Sequence, residues 1–177
     1  MPPDQRIDET DARILDILQR DGRRTYAEIG ALVGMSGPSA HERVKKLEAR
    51  GIIRGYGAAV DPTLVGLGVT AFIWVTQASG TMVTDLSTDF AEMAEVEACH
   101  RIAGEGDYLL KIRAADTAAL ELVVRRVQAT QNVYRTETDI AFSTAFERRP
   151  LPVRATDAVA APGSPASAAR SSGPAGT

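Results

Sequence analysis

Two stretches of the chain carry residues whose types and spacing could do chemistry. Residues 103–110 read AGEGDYLL, two glycines and two acids between apolar runs. Residues 36–54 hold Arg43, Lys45, Lys46, Arg50 and Arg54 against Glu42 and Glu48. For the first stretch, a phosphate cradle would need a glycine loop that opens a helix with a lysine close behind, whereas this loop opens a strand-like run and carries acids. A catalytic carboxylate would need a base or nucleophile beside it. The nearest histidine, His100, and its neighbour Arg101 alternate along a strand, so their side chains leave on opposite faces. Two readings stay open: a hairpin loop in which Gly104 and Gly106 take positive φ, or a ligand loop. The second stretch suits a polyanion. Lys45, Lys46 and Arg54 can neutralise phosphates, Ser39, His41 and Glu42 can meet base edges, and a helix start at Ser36 offers free amides to a phosphate.

The elements that must position these groups follow from capping and periodicity. Asp8 caps a helix with Ile14, Ile17 and Leu18 on one face, closed by Asp21-Gly22. Thr25-Tyr-Ala-Glu28 is a capping box, followed by Ile29, Leu32 and Val33 and stopped by Gly34. Ser36 caps a third helix with Ala40, Val44 and Leu47 inward, closed by Gly51. That geometry turns Pro38, Glu42 and Lys45 outward, puts Ser39, His41 and Lys46 on the flanks, and leaves Arg43 at the core margin, where it braces the helix or reaches a phosphate. Two capped helices across a short turn, the second basic, fit a helix-turn-helix as well as they fit a plain bundle. IIRGYGAAV then reads as a small strand or wing.

Asp61-Pro62 marks a boundary, with a hinge over 61–66. Beyond it the periodicity predicts a strand over 67–77 and a helix over 82–94 with Met82, Leu86, Phe90 and Met93. It continues with strands over 96–103 and 107–114, an Asp116-capped helix with Leu120, Val123, Val124 and Val127 inward, and a strand within 134–147. The order βαββαβ predicts a ferredoxin-like antiparallel sheet with both helices on one face. The fold class is therefore α+β. The expected domains are a winged helix-turn-helix over 1–60, a ferredoxin-like domain over 67–149 and a disordered Pro/Ala/Gly/Ser tail over 150–177.

Bulk composition narrows the function. The chain has 177 residues, 44% hydrophobic and 24% charged, and a net charge of -3, with the acidic excess in residues 61–149. A single cysteine, Cys99, excludes an internal disulfide framework, and two histidines are too few for a structural zinc site. No apolar run approaches the ~20 residues of a membrane span, and the N-terminus is too acidic for a secretory signal. A cytoplasmic protein without metal or cofactor is expected.

Asp8-x-x-Asp11-x-x-Ile14-Leu15, Gly34-Met35-Ser36, Arg43-Val44-Lys45-Lys46-Leu47-Glu48 and Gly51-Ile52-Ile53-x-Gly55-Tyr56 together resemble the Lrp/AsnC family of feast/famine regulators. The likeness continues through Asp61-Pro62, Gly66 and Gly104-x-x-Asp107-Tyr108 and spans residues 8–149. It implies a transcription regulator that binds double-stranded DNA, forms homodimers often joined into octamers, and responds to an amino acid or related metabolite. It also implies DNA contacts from Ser36, Ser39, His41, Glu42, Arg43, Lys45, Lys46 and Arg54. The implied effector site comprises the loop residues Gly104, Gly106, Asp107 and Tyr108 and, on the last strand, Thr136, Thr138 and Ile140. Gly37-Pro38, Ala40 and Gly106 depart from the family's usual residues. Two rivals follow: an enzyme, since similar layouts decarboxylate sirohaem, and a metabolite-binding assembly protein without DNA binding.

Overall fold

The structure is a computed structural model that describes residues 6–78, 85–104 and 106–156. The described residues form two compact units: one holds residues 6–57 together with 148–156, the other those within Ala58–Glu147.

The first unit is built on three helices: α1 (Glu9–Arg20), α2 (Tyr26–Val33) and α3 (Gly37–Ala49). Their starts are fixed by side chains that accept the orphan amides of the first turn. Asp8 and Asp11 form a reciprocal capping box on α1, Thr25 and Glu28 another on α2, and Ser36 accepts the Ser39 amide on α3. Ile14, Leu15, Ile29, Val33, Ala40, Val44 and Leu47 make the core. Leu15 takes an inner place that the sequence gave to Ile17 and Leu18, which pack at its margin, while Leu32 is exposed. Gly34 closes α2 in the left-handed region at φ 80°. The turn to α3 is tight because a Cβ on Gly30 would come within 2.7 Å of the Met35 carbonyl oxygen. Residues 52–60, expected as a wing strand, make no ladder: the run is glycine-broken and has no strand beside it to pair with.

Residues 150–156 do not behave as the start of the unstructured tail that composition predicts. The segment from Arg148 runs along α1. Gln19 exchanges two hydrogen bonds with the Leu151 backbone (3.1 and 2.6 Å), and Thr156 exchanges two with the Ile7 backbone (2.8 and 2.9 Å). Val153 packs against the helical core between these ties. Polar composition forecasts disorder only where no partner surface is available, and α1 supplies one.

The second unit has a short 3-10 turn (Thr63–Val65) and then β1 (Val69–Gln77), α4 (Ser87–Ala91), β2 (Val96–Arg101), β3 (Tyr108–Ala114), α5 (Thr117–Ala129) and β4 (Val133–Ala141). The sheet is antiparallel in the order β2-β3-β1-β4, the expected ferredoxin-like arrangement. Ala71, Ile73 and Val75 of β1 and Tyr108, Leu110 and Ile112 of β3 point to one face and are fully buried beneath Leu86, Phe90, Leu120, Val123 and Val127. The first helix is far shorter than the span 82–94, and Met82 lies outside the described residues.

Gly30 gives this packing a test in which two effects oppose. Alanine is the better helix former by about 1 kcal/mol, but its methyl has no room. Gly30→Ala is expected to destabilise the protein by about 2 kcal/mol, read as a lowered thermal midpoint; a raised midpoint would contradict the close approach.

Candidate nucleic-acid interface and sheet cleft

The faces of α3 are sorted by what holds each side chain. On one flank, one nitrogen of the Arg43 guanidinium donates to Asp8 Oδ2 at 2.6 Å and to Asp11 Oδ1 at 2.7 Å, and Arg50 donates to the Arg6 carbonyl. On the other flank, the His41 ring lies 4.4 Å from that of Tyr26, at the start of α2, and Glu48 accepts the Tyr56 hydroxyl at 2.9 Å. Between the flanks Ser36, Pro38, Ser39, Glu42, Lys45, Lys46 and Ala49 are exposed, and Arg54 is exposed beyond the helix. The eight residues singled out from sequence thus divide. Ser36, Ser39, Glu42, Lys45 and Lys46 share the open stripe, Arg54 stands beyond it, His41 lies half-buried at its edge, and Arg43 is turned away into an ion-pair cluster. The bracing role, left open in the sequence, is the one the geometry favours.

That cluster is electrostatically tight. Burial acts to raise the Asp8 pKa, but the Asp11 amide and the Arg43 guanidinium outweigh it and hold the carboxyl below its ordinary value of 3.8. Asp8, then Asp11, raise the Arg43 guanidinium above its own ordinary value.

The loop 103–110 answers differently from its sequence reading. Gly104 does not have positive φ. Gly106 is small for a steric reason: a Cβ there would come within 3.3 Å of the Val75 carbonyl oxygen, whereas one on Gly104 would meet nothing. Glu105 lies outside the described residues. Asp107 is half-buried, and its Oδ2 accepts the Gln77 amide at 2.7 Å, which pins the loop to the end of β1. Tyr108 is 1% exposed; its hydroxyl accepts the Leu86 amide at 3.1 Å and donates to Asp85 at 3.2 Å. It is a core residue.

On the sheet face away from the helices, Trp74, Thr76, Gly106, Arg135 and Glu137 line a cleft of about 470 Å³. Arg135 and Glu137 form an ion pair, and the Trp74 indole donates to Asp139 at 3.0 Å. Of the residues named from sequence, only Gly106 lines this cleft. Thr136, Thr138 and Ile140 stand opposite Val75, Ile73 and Ala71, on the helix side of the sheet, and Thr136 accepts a hydrogen bond from Gln128 of α5 at 2.9 Å. Below the cleft, Lys111 and Arg113 are held by Glu97 and Glu147 in a network of four ion pairs of 2.5–3.0 Å. His100 and Arg101 diverge as their alternation requires: Arg101 lies over the Tyr108 ring, 5.8 Å from its centre, and His100 pairs opposite Leu109. No group of side chains that could hold a metal ion occurs among the described residues. No helix there is long and apolar enough to cross a membrane.

A helix-turn-helix with an open basic stripe, followed by a ferredoxin-like unit with its own cleft, defines the class of two-module DNA-binding regulators. The comparisons agree. Residues 7–48 match the AsnC-type helix-turn-helix domain and residues 70–151 the Lrp/AsnC ligand binding domain. The chain belongs to the Lrp/AsnC family of transcriptional regulators, which is a family of DNA-binding regulators and not of enzymes. It is 34% identical to the HTH-type transcriptional regulator LrpA of Mycobacterium tuberculosis over 81% of this chain and 95% of that protein. A solved M. tuberculosis feast or famine regulatory protein complexed with L-methionine superposes with a TM-score of 0.77 at 34% identity, over 80% of this chain and 96% of that one. A Neisseria meningitidis transcriptional regulator in complex with L-methionine does so with a TM-score of 0.77 at 31% identity, over 82% and 96%.

The bracing of Arg43 has two measurable consequences. Arg43→Met is expected to lower stability by about 2 kcal/mol, because it strands the largely buried Asp11 carboxylate. It is expected to leave the slope of log affinity for DNA against log salt unchanged, whereas loss of a phosphate contact would reduce that slope by about 1. The Asp8 carboxyl has a folded-state pKa below its unfolded value of about 3.9, so it stabilises above that pH and loses its contribution as pH falls through the lowered folded value. Acid titration of the folded state should therefore show a decline starting below about pH 4, and Arg43→Met should flatten it.

The Asp107 tie gives a third test. Asp107→Ala frees the Gln77 amide and is expected to lower stability by about 1.5 kcal/mol in denaturant unfolding; an unchanged midpoint would mean that the carboxylate does not hold the loop.

Proposed function

We propose that this regulator acts in the cytoplasm as a two-fold dimer, able to assemble further into an octamer, that responds to a free amino acid in the sheet cleft. The observation that carries the DNA half is the open stripe of α3 between two braced flanks. Rigid flanks fix the helix, so the exposed side chains can enter a major groove without reordering. Lys45, Lys46 and Arg54 neutralise phosphates, Ser36 presents the amides of the helix start to another, and Ser39 and Glu42 meet base edges, with His41 reaching in from the edge of the stripe.

For the effector, a zwitterion suits the cleft chemically. Arg135 can take the carboxylate and Glu137 the ammonium group, which exchanges one ion pair for two. The Trp74 face offers an apolar surface to the side chain, and methionine packs well on aromatic rings. Gly106 keeps the rim low, and Gly104 and Asp107 belong to the loop that shapes it. The two relatives solved with L-methionine make that amino acid the first to try. An effector that prefers one subunit arrangement shifts the population toward it, and with it the affinity for DNA.

Two measurements test the reading. In a mobility-shift titration, DNA flanking the protein's own gene should bind at low salt and weaken steeply with added salt, and Lys45→Ala should reduce the log-log slope by about 1. No sequence-dependent shift at low salt would leave an assembly protein instead. In thermal unfolding, L-methionine should raise the midpoint of the unaltered protein by mass action. Arg135→Met should abolish that rise; a rise that survives would place the amino acid elsewhere.

A further inference from the structure

Arg6, Ile7 and Asp8 precede α1 and belong to no helix or strand, yet each is held by a partner far along the chain. The Arg6 carbonyl accepts from the Arg50 guanidinium, and Asp8 Oδ2 accepts from Arg43 at 2.6 Å. Ile7, between them, directs both of its backbone groups to one residue. Its amide donates to Thr156 Oγ1 at 2.8 Å, and its carbonyl accepts the Thr156 amide at 2.9 Å. All of these residues lie within the helical unit. Arg50 closes α3 as its C-cap, about two turns beyond Arg43, so the two arginines share one flank of the helix.

An irregular segment has no helix or ladder of its own to keep its place, so ties of this kind set its position. The tie to Ile7 comes from a stretch that is itself fixed. Gln19 of α1 exchanges its two hydrogen bonds with Leu151, and Val153 packs at the margin of the helical core, as Ile7 does. Val153 and Thr156 lie outside both spans matched to the family, 7–48 and 70–151. The other flank of α3 is held independently, by Tyr26 against His41 and by Tyr56 on Glu48. A helix braced on that flank alone is free to roll about it.

We infer that Leu151–Thr156 is a positioning strap for α3: by fixing Ile7, it holds the Arg6 carbonyl and the Asp8 carboxylate where Arg50 and Arg43 meet them, and so sets the angle at which Ser39 and Glu42 present to base edges. The inference rests on the reading of α3 as the helix that faces DNA. Base readout demands fixed geometry, whereas Lys45 and Lys46 reach phosphates on flexible stems from a range of angles. The strap therefore contributes to discrimination between sequences more than to affinity for duplex DNA at large.

The test uses full-length proteins, a preferred site recovered from random-sequence duplexes, and an unrelated duplex of equal length at the same salt. Thr156→Pro removes the amide donor and the hydroxyl acceptor, which cuts both ties to Ile7. At a temperature where thermal unfolding shows each protein folded, it should lower the ratio of preferred to unrelated affinity by at least roughly fivefold, with unrelated affinity within about twofold. Thr156→Ser keeps both groups and should keep the ratio of the unaltered protein. Thr156→Val loses only the hydroxyl; it should lower the ratio by about twofold, and it carries the test if Thr156→Pro does not fold. Both affinities falling by the same factor would make the strap a stabilising element only and overturn the inference, as would Thr156→Ser impaired as much as Thr156→Pro. Lys45→Ala separates the two levels. An unchanged salt slope there overturns the reading of α3 and the inference with it, whereas a slope reduced by about 1, with an unchanged ratio in the Thr156→Pro or Thr156→Val protein, overturns the strap's role alone.

Discussion

The Arg43 guanidinium takes both of its carboxylates from the capping box at the start of another helix, and the helical unit is organised around that exchange. Asp8 and Asp11 would be needed to cap α1 in any case, since its first amides have no intrahelical partner. Turning their remaining oxygens to Arg43 at 2.6 and 2.7 Å ties the start of α1 to the middle of α3 and sets the helix that carries the open basic stripe. A cation at the core margin also balances the charge of two neighbouring acids. One residue thus serves packing, capping and electrostatics together.

The opposite flank uses different chemistry for the same end. Tyr26 stacks on His41, and Tyr56 bonds Glu48, so the stripe carrying Glu42, Lys45 and Lys46 is bordered by half-buried side chains on both sides. In the sheet unit, alternation does the sorting: one face of β1 and β3 is sealed by α4 and α5, and the other carries Trp74 and a half-buried charge network. The Glu97 carboxyl shows the balance there, since burial would raise its pKa but hydrogen bonds from Arg113 and Lys111 hold it below the ordinary value.

Much of this was legible in the chain itself. Caps at Asp8, Thr25, Ser36 and Asp116, the inward sets of α3 and α5, and the order βαββαβ all follow from local rules that depend on a few neighbouring residues, and the structure keeps them. What the sequence left open fell where a partner distant in sequence decides. The face that Thr136, Thr138 and Ile140 take is one such matter, since strand propensity says nothing of it. Residues 150–156 were read as tail because composition does not reveal a docking surface some 130 positions earlier.

The loop AGEGDYLL illustrates the division within one stretch. Its residue types alone determined that a tight connection joins two strands and that no phosphate or triad chemistry belongs there. Only the tertiary structure decided that Gly106 is small to let the loop approach Val75, that Asp107 caps Gln77, and that Tyr108 faces the core. The physical reason is range. Capping, turns and periodicity act within a few residues and are written in the sequence directly, whereas the face a strand shows and the donor a carboxylate finds depend on which segments the fold brings together.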